Sequence, residues 1–249
     1  MDPVAAQSPS EVSDPAGERD LLRAQVRRYL DDLVTFEGRR LILPEGVERP
    51  GATPAAPAAA APDRAARLEA LRQSICECTA CPLGQTRHRF VFGAGNPEAD
   101  IVFVGEAPGA DEDRQGEPFI GAAGQLLTRI IEAIQLRRED VFICNVLKCR
   151  PPNNRDPLDS EVATCEPYLQ QQLEIIQPRL ICALGRFAGN CLLKRKGSLS
   201  SLRGQLHDYR GIPVIVTYHP AALLHDGKYK RATWEDMKWL RREYDGTEL

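Results

Sequence analysis

Three of the chain's eight cysteines fall in the stretch CECTACPLG, as Cys76, Cys78 and Cys81, while Cys149 follows in KCRPPNNRDP and Cys165 in ATCEPYL. A C-x-x-C pair sets two thiolates on one turn, and two more cysteines in proline-flanked loops can complete a tetrahedral set. The ligand set read from this is Cys78, Cys81, Cys149 and Cys165, with Cys76 to spare. A redox dithiol would need neither Cys149 nor Cys165. Spacing alone does not separate zinc from an iron–sulfur cluster. Cys144, Cys182 and Cys191 lie in apolar segments and read as core residues.

A second concentration of chemistry is GEAPGADEDRQGEPFIGAAG, residues 105–124, with five glycines, two prolines and six charged side chains. So long a segment without core-forming residues is costly to order unless something bound there repays it. Phosphate is the first candidate. The stretch has neither the lysine of G-x-x-x-x-G-K-[ST] nor the G-x-G-x-x-G spacing, which argues against a nucleotide cofactor. Asn145, in VFICNVL, and His219, in TYHPAALL, are the other polar residues at the ends of apolar runs.

The elements that would hold these residues follow from hydrophobic periodicity. Strand-like runs occur at 101–104, 141–147, 180–184 and 213–217, and helical patterns at 122–136 and 158–176. Strands alternating with helices predict an α/β fold, a three-layer α/β/α arrangement around a mostly parallel sheet. In such sheets ligands bind beyond the carboxyl ends of the strands. The glycine-rich loop, Asn145 and His219 all belong at that edge.

Residues 16–36 have the spacing of an amphipathic helix, and 49–63 form a Pro/Ala-rich linker. The expected division is therefore an amino-terminal helix and linker over 1–63 and a catalytic domain over 64–249. Residues 1–63 carry 7 Lys/Arg against 11 Asp/Glu, and the remainder 25 against 24, so no global charge points to nucleic acid. The amino terminus lacks the basic and apolar parts of a secretory signal, and no run has the length of a membrane span. The expectation is a monomer in a prokaryotic cytoplasm, where cysteines serve as metal ligands rather than disulfides.

Taken in order, GEAPGADED, GEPFIGAAGQLL, NVLKCRPPNNRDP and TYHPAALL, with the cysteines between them, resemble the family 4 uracil-DNA glycosylases from about Cys76 to Tyr244. The resemblance implies a 4Fe–4S cluster at Cys78, Cys81, Cys149 and Cys165. It implies a DNA repair enzyme that flips uracil out of single- or double-stranded DNA and hydrolyses its glycosidic bond. Gly105, Ala107 and Gly109 would let backbone approach the base, Phe119 would stack on it, and Asn145 would pair with its O4 and N3–H. His219 would stabilise charge on the departing base. Better-known uracil glycosylases carry aspartate at the position of Ala107. The alanine is typical of family 4 and leaves Glu106 and Glu112 as candidates to position water, with Glu112 also able to crowd the uracil 5-position. Lys196, Arg203 and Lys228 would bind phosphates, and Leu224 would wedge into the gap left by the base. The competing readings are a non-catalytic iron–sulfur DNA-binding module, an electron-transfer protein, and a branch that traps uracil-DNA covalently through a histidine in a basic loop. In this chain KRK is followed by GSLSSLRG, with no adjacent histidine.

Overall fold

Four parallel strands form the centre of the computed structural model, which describes residues 63–246. The amino-terminal helix and linker expected over 1–63 lie outside the described residues, except Asp63. That residue caps the first helix, its side chain accepting from Ala65 N–H at 3.2 Å.

The helices are α1 (Arg64–Ile75), α2 (Leu83–Thr86), α3 (Ala110–Gln115), α4 (Ala122–Ala133), α5 (Asp159–Ile176), α6 (Arg186–Leu192), α7 (Leu199–Leu202), α8 (Pro220–His225) and α9 (Tyr229–Asp245). The strands are β1 (Ala94–Gly95), β2 (Ile101–Gly105), β3 (Phe142–Asn145), β4 (Leu180–Leu184), β5 (His207–Tyr209) and β6 (Ile212–Thr217). They form one sheet in the order β1-β3-β2-β4-β6-β5. The inner four pair in parallel, and β1 and β5 close the edges antiparallel. The edge strands have only two and three residues, too short to register as alternation in the sequence.

Side chains alternate across the sheet and divide the interior in two. On one face Val102, Val104, Ile181, Ala183, Val214 and Val216 meet α1, α5, α6 and α7. On the other, Ile101, Phe103, Ile143, Cys182 and Ile215 meet α4 and α9. Both faces are covered, so β2 and β4 are buried at every residue and read as continuous apolar runs. The three-layer α/β/α expectation holds.

The run expected as a strand to residue 147 ends at Asn145. Val146 and Leu147 N–H instead donate to the carbonyls of Gly105 and Glu106, both at 3.0 Å, which ties the loop after β2 to the segment after β3. The loop from 116 to 121 is held as firmly. Arg138 donates to the Pro118 carbonyl at 2.6 Å, and α4 starts so close to Phe119 that a Cβ on Gly124 would lie 1.8 Å from its carbonyl oxygen. Gly124→Ala must therefore displace Phe119 or the first turn of α4. The expected loss is about 1–3 kcal/mol of stability, read as a lowered denaturant midpoint; an unchanged midpoint would show that the loop yields freely.

Candidate functional site

The carboxyl ends of β2, β3 and β6 open onto a cavity of about 310 Å³ whose wall includes Glu106, Ala107, Phe119, Asn145 and His219. Asn145, the last residue of β3, is 1 % exposed, and its Oδ1 has no hydrogen-bond partner in the protein. A buried amide oxygen left unpaired costs about 1–3 kcal/mol. The cavity in front of it is where a partner would sit. Gly105 makes the room: a Cβ there would fall 2.3 Å from Asn145 Oδ1 and 2.5 Å from Phe119 Cζ.

Phe119 is buried and holds a left-handed backbone, φ 51°, which is uncommon for an aromatic residue. Its ring lies 5.5 Å from that of His219, tilted by 37°. The carboxylate of Glu112 fixes this turn, Oε1 accepting from the N–H groups of Ile120 and Gly121 at 3.0 Å each. Glu112 thus stands in the cavity wall with one oxygen committed to the loop. Glu106 differs. Burial and the charge of Asp156 raise its pKa above the usual carboxylate range, while Arg186 opposes them.

His219 ends the segment after β6 and begins α8, with Ala221 N–H donating to its Nδ1 at 3.2 Å. That bond assigns the lone pair to Nδ1 and the proton of the neutral ring to Nε2. Burial lowers the pKa of His219 to about 4, against a small upward effect of Glu112, so the ring is neutral near pH 7. The site therefore offers an amide, an aromatic face, a neutral N–H donor and a carboxylate of raised pKa. Together they can bind a flat polar heterocycle and stabilise negative charge on it.

Behind this wall lie the four expected ligand cysteines. Cys149 and Cys165 are buried with Leu83 and Leu147, and Cys81 and Ala107 pack against the same cluster. Cys78 Sγ is 3.2 Å from Tyr168 OH, Arg87 donates to Cys149 Sγ at 3.4 Å and Lys148 N–H to Cys165 Sγ at 3.3 Å. Burial raises the Cys149 thiol pKa, with Cys81 and Cys78 adding to the rise, and pushes Cys165 up to about 11. Cys76 turns away, its thiol donating to the Gln73 carbonyl at 3.5 Å. Among the described residues, no three His, Cys, Asp or Glu side chains are grouped closely enough to hold a single metal ion.

The residues expected at DNA separate. Lys196 is almost wholly exposed, Leu224 is half exposed, and Lys228 lies 2.5 Å from Asp226 at the surface. Arg203 is turned inward. It pairs with Asp236 at 2.7 and 2.9 Å, donates to the Ala232 carbonyl, and covers the ring of Tyr218. Asp236 also accepts from Thr217 at 2.6 Å, so this network braces the strand end that carries His219. Gly109 lies in the cavity wall as expected. Sequence reasoning assigned no role to Arg155, also in the wall, whose guanidinium is held by the buried Glu161 at 2.6 and 2.9 Å. The NNRDP stretch was its only signal.

The family model described as the Uracil DNA glycosylase superfamily matches residues 92–238. The chain is 46 % identical over 179 residues to a Type-4 uracil-DNA glycosylase of Archaeoglobus fulgidus, covering 69 % of this chain and 90 % of the relative. It is 45 % identical over 175 residues to a Type-4 uracil-DNA glycosylase of Thermotoga maritima, covering 69 % and 91 %. A Type-5 uracil-DNA glycosylase of Pyrobaculum aerophilum is more distant, 33 % identical over 146 residues and covering 52 % and 64 %.

The state of His219 is directly measurable. Nitrogen-15 shifts should report a bare Nδ1 and a protonated Nε2 at all pH values well above about 4. Because the folded pKa is depressed from 6.5 to about 4, the unfolded chain binds more protons in that window, and stability falls as pH drops through it. His219→Gln removes this acid-sensitive part. Its thermal midpoint should fall less between pH 6.5 and 4 than the wild type's; an equal fall would place the ring in contact with solvent.

Proposed function

The chain belongs to the type-4 branch of the uracil-DNA glycosylase superfamily, and from that premise we infer that it excises uracil from DNA for repair, by hydrolysis of the N-glycosidic bond. The observation that carries the assignment of the site is the unpaired Oδ1 of Asn145, buried beside the cavity that also holds His219. In this reading the uracil leaves the base stack and lies against Phe119, whose ring replaces the lost stacking. Asn145 accepts from uracil N3–H and donates to O4. Cytosine presents the opposite donor and acceptor pattern, so both contacts would be mismatched.

Bond breaking leaves the C1′–N1 electron pair on the base. His219 Nε2–H donates to uracil O2 as that charge grows, and a neutral imidazole does so without protonating the base. The water oxygen bonds to C1′, and Glu106 takes the proton, a role suited to a carboxylate of raised pKa. Glu112 holds the loop at 119–121 and closes the wall. Gly105, Ala107 and Gly109 keep the backbone close to base and sugar. Lys196 and Lys228 meet phosphates, Leu224 enters the emptied stack, and Arg203 acts indirectly through Tyr218 and Asp236. The substrate is uracil-containing DNA, single- or double-stranded. The acting form in this reading is a monomer in a prokaryotic cytoplasm, as the prokaryotic sources of its relatives suggest.

Cys78, Cys81, Cys149 and Cys165 would hold a 4Fe–4S cluster. The gathering of the thiols supports a shared centre: Cys149 and Cys165 lie in one buried cluster with Cys81 packed against it, and Cys78 and Cys81 are close enough to act on the Cys149 thiol. Thiols whose pKa burial raises stay protonated unless a cation offsets the charge. When bound, the cluster supplies iron–thiolate bonds that cross-link the α1–α2 turn, the loop after β3 and helix α5.

Purified protein incubated with a uracil-containing oligonucleotide and then alkali should give strand scission at the uracil. His219→Ala should slow single-turnover excision by about 10²–10³-fold with DNA affinity little changed. Collapse of affinity with normal excision from bound DNA would make His219 a binding residue instead.

The cluster has its own test. Cys149→Ser should lose visible absorption, iron and folded yield, whereas Cys76→Ser should keep the iron-to-protein ratio of the wild type. Equal losses would place Cys76 among the ligands, and stoichiometric zinc in a colourless protein would reject the iron assignment.

A further inference from the structure

We propose that Lys148 is the positioning residue of Asn145, and that it ties the base-reading amide to the cysteine cluster. The proposal rests on the reading that Asn145 recognises the base. Lys148 is fully buried, an expensive place for an amino group unless its hydrogen bonds are made. They are made to two different layers. Its Nζ donates to the backbone carbonyl of Asn145 at 2.7 Å and to Gln172 Oε1, on α5, at 2.5 Å. Gln172 is itself anchored, donating through Nε2 to the Phe92 carbonyl at 2.8 Å. The main chain of Lys148 is equally engaged. Its N–H donates to Cys165 Sγ at 3.3 Å and its carbonyl accepts from Val91 N–H at 2.8 Å.

This arrangement meets a need particular to Asn145. The side-chain oxygen has no protein partner, because one would compete with the ligand. The amide must then be aimed by its backbone and by the packing of Gly105 and Phe119 around it. β3 ends at Asn145, and its carbonyl is held by the Lys148 amino group from the next turn of chain. Fixing that peptide plane fixes the Cα–Cβ direction, and so the line along which the amide meets the base. An apolar side chain of similar length would fill the same space without holding the carbonyl.

The test is a double-mutant cycle on the full chain with its iron retained. The probes are free uracil as a competitive inhibitor and abasic-site DNA as a ligand that lacks the base. Lys148→Met should keep the wild-type iron content, since the contact to Cys165 uses a backbone N–H. It should weaken uracil by about tenfold and leave affinity for abasic-site DNA unchanged. On an Asn145→Ala background, Lys148→Met should cost no further uracil affinity. Independent, additive losses would overturn the proposal and assign Lys148 to general stability. If Asn145→Ala alone binds uracil as the wild type does, the base-reading assignment fails and this inference fails with it. Should Lys148→Met lose iron, Gln172→Met carries the same cycle from the other end of the hydrogen-bond chain. It is expected to give a smaller, equally non-additive loss, and additivity there is equally fatal.

Discussion

A side-chain amide oxygen buried without a donor works against folding by about 1–3 kcal/mol, and Asn145 maintains one at the end of the central strand β3. Keeping it open requires that nothing nearby reach it. Gly105 presents no side chain where a Cβ would lie 2.3 Å from that oxygen, and Phe119 adopts a left-handed backbone to bring its ring alongside. The rest of the site reads as the set of supports that this unpaired group needs. Glu112 holds the turn after Phe119, Gly124 admits the first turn of α4 against it, and Lys148 holds the Asn145 carbonyl.

The same economy of contacts governs His219. Its Nδ1 is occupied by the Ala221 N–H and its ring is buried, so the imidazole is neutral with Nε2–H as its donor. A neutral donor suits a reaction in which charge develops on a leaving heterocycle, because it stabilises that charge without competing for the proton. The chain that leads to the ring is braced. Thr217 and Arg203 converge on Asp236, and Tyr218 lies between Arg203 and the stacked ring of Tyr229. Arg203 therefore belongs to the support of the site rather than to its surface.

Ala107 explains how the pocket and the cysteine cluster fit together. It lines the cavity and packs against the buried group of Leu83, Leu147, Cys149 and Cys165. A charged side chain there would be pressed between the ligand and a set of thiols, an unfavourable place for a carboxylate. The alanine lets the two regions share a thin wall. In the proposed mechanism water positioning falls to Glu106, one residue earlier, where partial burial raises the carboxyl pKa.

Much of this was legible in the sequence because it depends on local pattern. Continuous apolar runs gave the inner strands, since both faces of a parallel sheet are covered, and the periodicity of 122–136 and 158–176 gave α4 and α5. Cysteine spacing, with the motif order, singled out four thiols, of which Cys81, Cys149 and Cys165 share one apolar cluster. What tertiary structure alone decided is which polar atoms remain unpaired and which are consumed. Lys148 and Arg203 look in the sequence like ordinary surface cations, yet both turn inward, because Gln172 and the Asn145 carbonyl receive one and Asp236 the other. Glu112, a candidate for the chemistry, also holds a loop, because the N–H groups of Ile120 and Gly121 meet its carboxylate from eight and nine residues away. The two short edge strands were likewise invisible, since they exist only through pairing with β3 and β6. A residue's type and neighbours fix what it can bond to; the partner that reaches it depends on distant segments meeting in space.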